Sequence, residues 1–140
     1  MNQKPQERKK QTVIIMTDEQ WKQVENALNS LGQAKLKIDG YDITLAAAIL
    51  KNRIAYAVYI NGKMKMAHSL DDCEERRRFH NKHTHCLCSA SEIRKAPKDV
   101  QAFLKDSGTF NWYEPYWTSF RRMKAHFIRN NESIEFVETN

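Results

Sequence analysis

Apolar positions along this chain change period more than once. Trp21, Val24, Leu28 and Leu31 recur in steps of three and four residues, the spacing that gathers side chains on one face of an α-helix. Thr17 and Gln20 form a capping box ahead of them and Gly32 supplies a stop behind, so an amphipathic helix is predicted between. From Lys35 the period falls to two. Leu36 and Ile38 alternate with lysines, Asp39-Gly40 offers the positive backbone angles of a two-residue hairpin, and Tyr41, Ile43 and Leu45 resume on the same face. With that turn Ile38 opposes Tyr41 and Leu36 opposes Ile43, the register that a half-buried sheet needs. Residues 53–60 read as a third strand, and Asn61-Gly62 turns it into a fourth, Lys63 to Met66. Both faces of the third strand are partly apolar, one expected to take the first helix and the other the C-terminal half. Lys63 and Lys65 suit an edge strand, where lysine deters pairing with other chains.

Ser69 or Asp71 is a cap for a helix from about Leu70 to Lys82. Pro97 suits the first turn of a short helix through Val100, Phe103 and Leu104, which Ser107-Gly108 ends. Thr118 or Ser119 caps a last helix carrying Phe120, Met123 and Phe127, and Ile134 to Val137 reads as a closing strand. The predicted fold is therefore α+β: a four-stranded antiparallel meander over about 34–67, preceded by one amphipathic helix and followed by three helices and a short C-terminal strand. Residues 12–138 form a single domain on this reading, and residues 1–11, basic and without an apolar period, form a disordered tail. That tail is either a solubilising end or an arm that seeks phosphate.

A length of 140 residues is enough for one domain with a core of its own. Lys and Arg number 23 against 17 Asp and Glu, a net charge of +6 that favours acidic partners, whether nucleic acid or an acidic protein face. No apolar run approaches the ~20 residues of a membrane span and the N-terminus lacks a signal-peptide core, so a cytoplasmic location without membrane contact is expected. Reduced thiols fit that compartment, since Cys86 and Cys88 sit too close together for an easy disulfide.

Between Asp71 and Cys88 the chain concentrates its chemistry. Asp71, Asp72, Glu74 and Glu75 precede Arg76, Arg77, Arg78 and Lys82, a polarity that complements a helix dipole, with Asp72–Arg76 and Glu74–Arg78 at ion-pair spacing. The same arginines are forks for phosphate or carboxylate. His83, His85, Cys86 and Cys88 are zinc candidates by ligand type. Their spacing argues against zinc: Cys86-x-Cys88 is tighter than a usual knuckle, and Cys73 stands apart on the predicted helix. No cofactor is expected. There is no phosphate-binding Gly-rich loop, no His-Glu-x-x-His and no activated nucleophile with a spaced base, so the chain does not read as an enzyme.

Phe110, Trp112, Tyr113, Tyr116, Trp117 and Phe120 crowd one segment, and Arg121, Arg122, Lys124 and Arg129 follow at once. Rings beside cations serve binders of single-stranded nucleic acid, where bases stack and phosphates are held. They also serve protein interfaces and closing layers of a core. The strings DGYDITL from Asp39, YINGK, DDCEERRRF and YWTSFRRMKAHFIRNNESIEFVE resemble small uncharacterised proteins of phages and prophages. That resemblance implies a small accessory protein that binds and does not catalyse, anti-CRISPR inhibitors being one such group. It carries no active site with it, and this basic chain departs from the acidic DNA mimics of that group. The element order is also similar to a double-stranded RNA binding domain, but the helix after the sheet begins Leu70-Asp71-Asp72, with its charge at the wrong end.

The expected activity is thus non-enzymatic binding to a nucleic acid or a nucleoprotein complex, possible partners including a CRISPR effector. Arg76, Arg77, Arg78, Lys82, Trp112, Tyr113, Tyr116, Arg121, Arg122, Lys124 and Arg129 are the candidate contacts. The alternatives are a protein-interaction module working through residues 110–120, and a zinc-stabilised regulator.

Overall fold

The computed structural model describes residues 13–86, 89–107 and 109–140; the expected tail over 1–11 lies outside them. Helix α1 (Asp18–Asn29) starts at the predicted box, with Thr17 Oγ1 accepting from the Gln20 amide at 3.2 Å and Gln20 Oε1 accepting from the Thr17 amide at 3.0 Å. Strands β1 (Gln33–Ile38) and β2 (Tyr41–Leu50) follow, joined through Asp39 and Gly40 at φ 46° and 87°. Ile38 faces Tyr41 and Leu36 faces Ile43, so the hairpin takes the predicted register. Strand β3 (Arg53–Ile60) pairs with β2, setting Ile43 against Ile60 and Leu45 against Val58.

The predicted fourth strand does not form. Lys63 makes only an isolated bridge with Ile60, and Met66 opens a short helix, α2 (Met66–Leu70). The free edge of β3 is taken by β6 (Tyr116–Trp117), with Tyr56 facing Trp117 and Ala57 facing Tyr116. An aromatic pair buries far more apolar surface there than alternating lysine and methionine would, and Trp117 is 4% exposed. The C-terminal strand β7 (Ile134–Thr139) pairs with β1, completing a five-stranded antiparallel sheet in the order β6-β3-β2-β1-β7 instead of a four-stranded meander.

Five helices, not three, follow β3 among the described residues. Of the helix expected from Leu70 to Lys82 only α3 (Glu74–Phe79) forms; Leu70 ends α2, and Asp71 after it is extended at φ −115°, ψ 145°. Lys82 belongs to a strand, β4 (Asn81–Cys86), and α4 (Ala90–Lys95) leads through Pro97 into α5 (Lys98–Ser107). Strand β5 (Thr109–Glu114) then pairs antiparallel with β4 as a separate two-stranded ribbon. Helix α6 (Phe120–Asn130) is capped by Ser119, whose hydroxyl accepts from the Arg122 amide at 3.3 Å.

One hydrophobic cluster holds the fold together. Trp21, Val24 and Leu28 of α1 and Phe120, Met123 and Phe127 of α6 join Leu36, Ile38, Ile43, Leu45, Val58 and Ile60 of the sheet. Phe79 brings α3 into the same cluster. By contrast, no described residue from 81 to 116 is buried, so β4, α4, α5 and β5 make an arm outside that cluster.

His80, 3% exposed, is the buried polar residue beside this core. Burial lowers its imidazole pKa to about 4, with His68 and Arg76 adding to the effect. An unfolded chain protonates the same group near pH 6.5, so between 6.5 and about 4 the unfolded state holds more protons and stability falls as pH falls. In buffer free of divalent metal the loss across that window is expected to be about 2 kcal/mol. Urea titrations at several pH values test it, and His80→Phe should flatten the profile there; an unchanged slope would refute this account.

Candidate nucleic-acid interface

Helix α6 carries cations and no acids. Its inward residues Phe120, Met123 and Phe127 fix its rotation, and at 100° per residue the opposite face is formed by Arg121, Arg122, Ala125 and Arg129. All four are exposed, and none of the three arginines pairs with a carboxylate among the described residues. Arg122, His126 and Arg129 succeed one another at four and three residues, a single ridge. His126 Nε2 donates to the Arg77 carbonyl at 2.9 Å, which anchors the backbone of α3 beside that ridge. Burial pushes His126 below its ordinary pKa; the Arg77 carbonyl opposes this and Arg129 adds to it. Lys124 departs from the row, half-buried with its ammonium 5.5 Å from the Trp21 ring centroid.

The arginines of α3 divide between structural and free roles. Arg78 lies between Asp39 at 2.7 Å, Glu74 and the Asn131 side-chain oxygen at 3.0 Å. Arg76 lies 3.8 Å from the centroid of the Tyr113 ring, with its side chain only 13% exposed. These two are bound up in the fold and contribute little free charge. Arg77 is different: its pair with Asp72, at 3.1 Å, joins side chains 66% and 61% exposed, and such pairs are worth at most ~1 kcal/mol. An incoming phosphate can displace it.

The ribbon presents the second feature. Register sets His83 opposite Trp112 and His85 opposite Phe110. Their rings form a row: His83 stacks on Trp112 at 5.0 Å and 16°, His85 lies 5.3 Å from Phe110, and Phe110 lies 5.7 Å from Trp112. Glu114 holds one end of it, accepting from Trp112 Nε1 at 3.2 Å and meeting His83 Nε2 at 3.1 Å. Phe110 is 48% exposed and Trp112 37%, so part of each ring faces solvent. Lys82 is exposed on β4 opposite Tyr113, while Tyr116 is half-buried on the sheet edge beside Ala57.

Among the zinc candidates, His83 and His85 are engaged in this ring row; Cys88 and the side chain of Cys86 lie outside the described residues. A cleft of about 690 Å³ is lined by Lys37, Asp39, Arg78, Glu132 and Glu135 with Gly40, Asn130 and Ser133, a set without histidine or cysteine. No protein-family model, curated protein or solved structure matches this chain.

The α6 row was readable from helical spacing, and so were the Asp72–Arg76 and Glu74–Arg78 pairs, which both form. The ring row was missed. Its signal was present in the alternation His83-x-His85 and Phe110-x-Trp112, which is strand spacing.

Proposed function

We propose that this protein is a non-catalytic binder of nucleic acid, free or within a nucleoprotein complex. The phosphate backbone lies along Arg122, Arg129 and Arg121 of α6 with Arg77 alongside, and the Phe110–Trp112 row offers a stacking surface to unpaired bases. The observation that carries this reading is the start of α6. Ser119 is its cap, and the residue three further on is Arg122, where a glutamate would complete a capping box. Arg121 precedes it, so two cations occupy the positive end of the helix dipole and no acid does. This arrangement costs about 0.3–1 kcal/mol per arginine, and folding gives no reason to keep it. A polyanion does.

The test joins stability to binding. Arg122→Glu is expected to raise the unfolding free energy by about 0.5–1 kcal/mol and, combined with Arg129→Glu, to weaken binding to single-stranded and duplex oligonucleotides by 100-fold or more. The salt dependence of binding should become shallower by about one for each phosphate that the variant no longer holds. Absence of salt-dependent binding by the unaltered chain, together with no nucleoprotein captured from a phage host lysate, would overturn the reading. The resemblance to phage accessory proteins makes a host defence complex the first partner to try.

Exposure of Phe110 and Trp112 favours a second reading, docking on a protein through the ribbon. Trp112→Ala separates the two: a large affinity loss for a captured protein, without change in salt slope, belongs to protein docking.

A further inference from the structure

The turn between α2 and α3 brings together three metal-ligating side chains. His68 from α2, Cys73 from the junction and Glu75 from α3 place one ligand atom each within 4.8 Å of the others. All three are half-buried. A second observation points to the same place. His80, almost fully buried, has an Nδ1 with no hydrogen-bond partner among the described residues, and its ring centroid is 6.2 Å from that of His68. A buried nitrogen left unpaired costs about 1–3 kcal/mol, so its persistence calls for a partner.

We propose that His68, Cys73, Glu75 and His80 bind one Zn²⁺ ion. Nitrogen, thiolate sulfur and carboxylate oxygen in a tetrahedral set are the donors this borderline-soft ion takes, with bonds of about 2.0–2.3 Å. Two imidazoles on one tetrahedral zinc have centroids roughly 5 Å apart, given Zn–N bonds of about 2.0–2.1 Å, and those of His68 and His80 are 6.2 Å apart, so His80 must draw in toward the other three to complete the set. Binding releases the thiol proton of Cys73, so the thiolate becomes the sulfur ligand.

The local architecture gives the ion a purpose. Helices α2 and α3 have five and six residues, no side-chain cap, and Phe79 as their one buried residue, so neither is stable by itself. Zinc ties them together under the ribbon, where α2 packs on β5. The site belongs to the fold and is independent of the nucleic-acid reading.

Titration of the full, untagged chain with ZnCl₂ by calorimetry is expected to give one ion per chain. CoCl₂ should give a tetrahedral visible spectrum with a thiolate-to-metal charge-transfer band, and a hundredfold excess of zinc over its Kd should raise Tm by roughly 10 °C. Cys73→Ser should abolish the charge-transfer band, and His68→Ala or His80→Ala should each weaken zinc by 10-fold or more. Circular dichroism of the metal-free variants confirms that each folds. Binding well below one ion per chain overturns the proposal. So does stoichiometric binding that survives Cys73→Ser and disappears in Cys86→Ser/Cys88→Ser, which would put the metal on the other cysteines.

Discussion

Phe79→Ala is expected to lower the unfolding free energy by about 3–5 kcal/mol, the largest effect of any single truncation in this chain. The ring is fully buried and packs edge-on against Tyr41 at 5.5 Å and Phe127 at 5.7 Å. Removing it loses the transfer term, leaves a cavity, and forfeits two aromatic pairings worth about 0.5–1.5 kcal/mol each beyond their area. It is also the only buried residue of α3, so no neighbour can take over the docking of that helix. The Phe79 carbonyl accepts from Trp117 Nε1 at 3.0 Å, which couples α3 to β6 and the sheet edge. Urea denaturation measures the loss. Phe79→Leu, which keeps most of the volume, should cost far less, and a value under about 1 kcal/mol for the alanine variant would show that α3 is not anchored through this ring.

Asp39→Ala comes next, at about 3 kcal/mol. Asp39 ties the β1–β2 turn to the last loop: its carboxylate accepts from the amides of Glu132 at 2.9 Å and Ser133 at 2.8 Å and pairs with Arg78 at 2.7 Å. Alanine leaves two amides and a half-buried guanidinium short of a partner, and it must also adopt φ 46°, which aspartate and asparagine tolerate better. Asp39→Asn keeps the backbone preference and one acceptor oxygen but sets an NH2 donor against these N–H groups in place of the other, so it should cost only somewhat less than alanine. Burial by itself raises the Asp39 carboxyl pKa, but the Glu132 and Ser133 amides and Arg78 outweigh it and hold the group below 3.8. A carboxylate with a depressed folded pKa stabilises fully above its unfolded pKa, and that contribution is lost as pH falls from about 4. Asp39→Asn should therefore make the protein less sensitive to acid below pH 4, while above pH 5 its deficit should be constant.

How far the sequence disclosed these features depends on how local the deciding contacts are. The α1 capping box, the Asp39-Gly40 turn and the register of β1 on β2 rest on neighbours within a few residues, and all three match expectation. The strand predicted at Lys63 to Met66 failed because the edge of β3 was contested by Tyr116 and Trp117, far along the chain, and no local pattern reports such a competition. The shortening of the expected helix to α3 has a similar origin, since Phe79 must reach the core while Asp72 turns to Arg76 and Arg77. For the site, periodicity identified the α6 row. It left the three arginines of α3 undivided, because Asp39 and Tyr113, which engage Arg78 and Arg76, are remote in sequence.

The chain departs from the sheet-bearing body at Asn81 and rejoins it at Tyr116, and the Asn81 side-chain amide reaches the Tyr116 carbonyl at 3.4 Å. Exit and return are thus a single doorway. Beyond it the ribbon still rests on the body, through Tyr113 against Arg76 and β5 against α2, so changes in length are best borne at the far end, around α4 and α5.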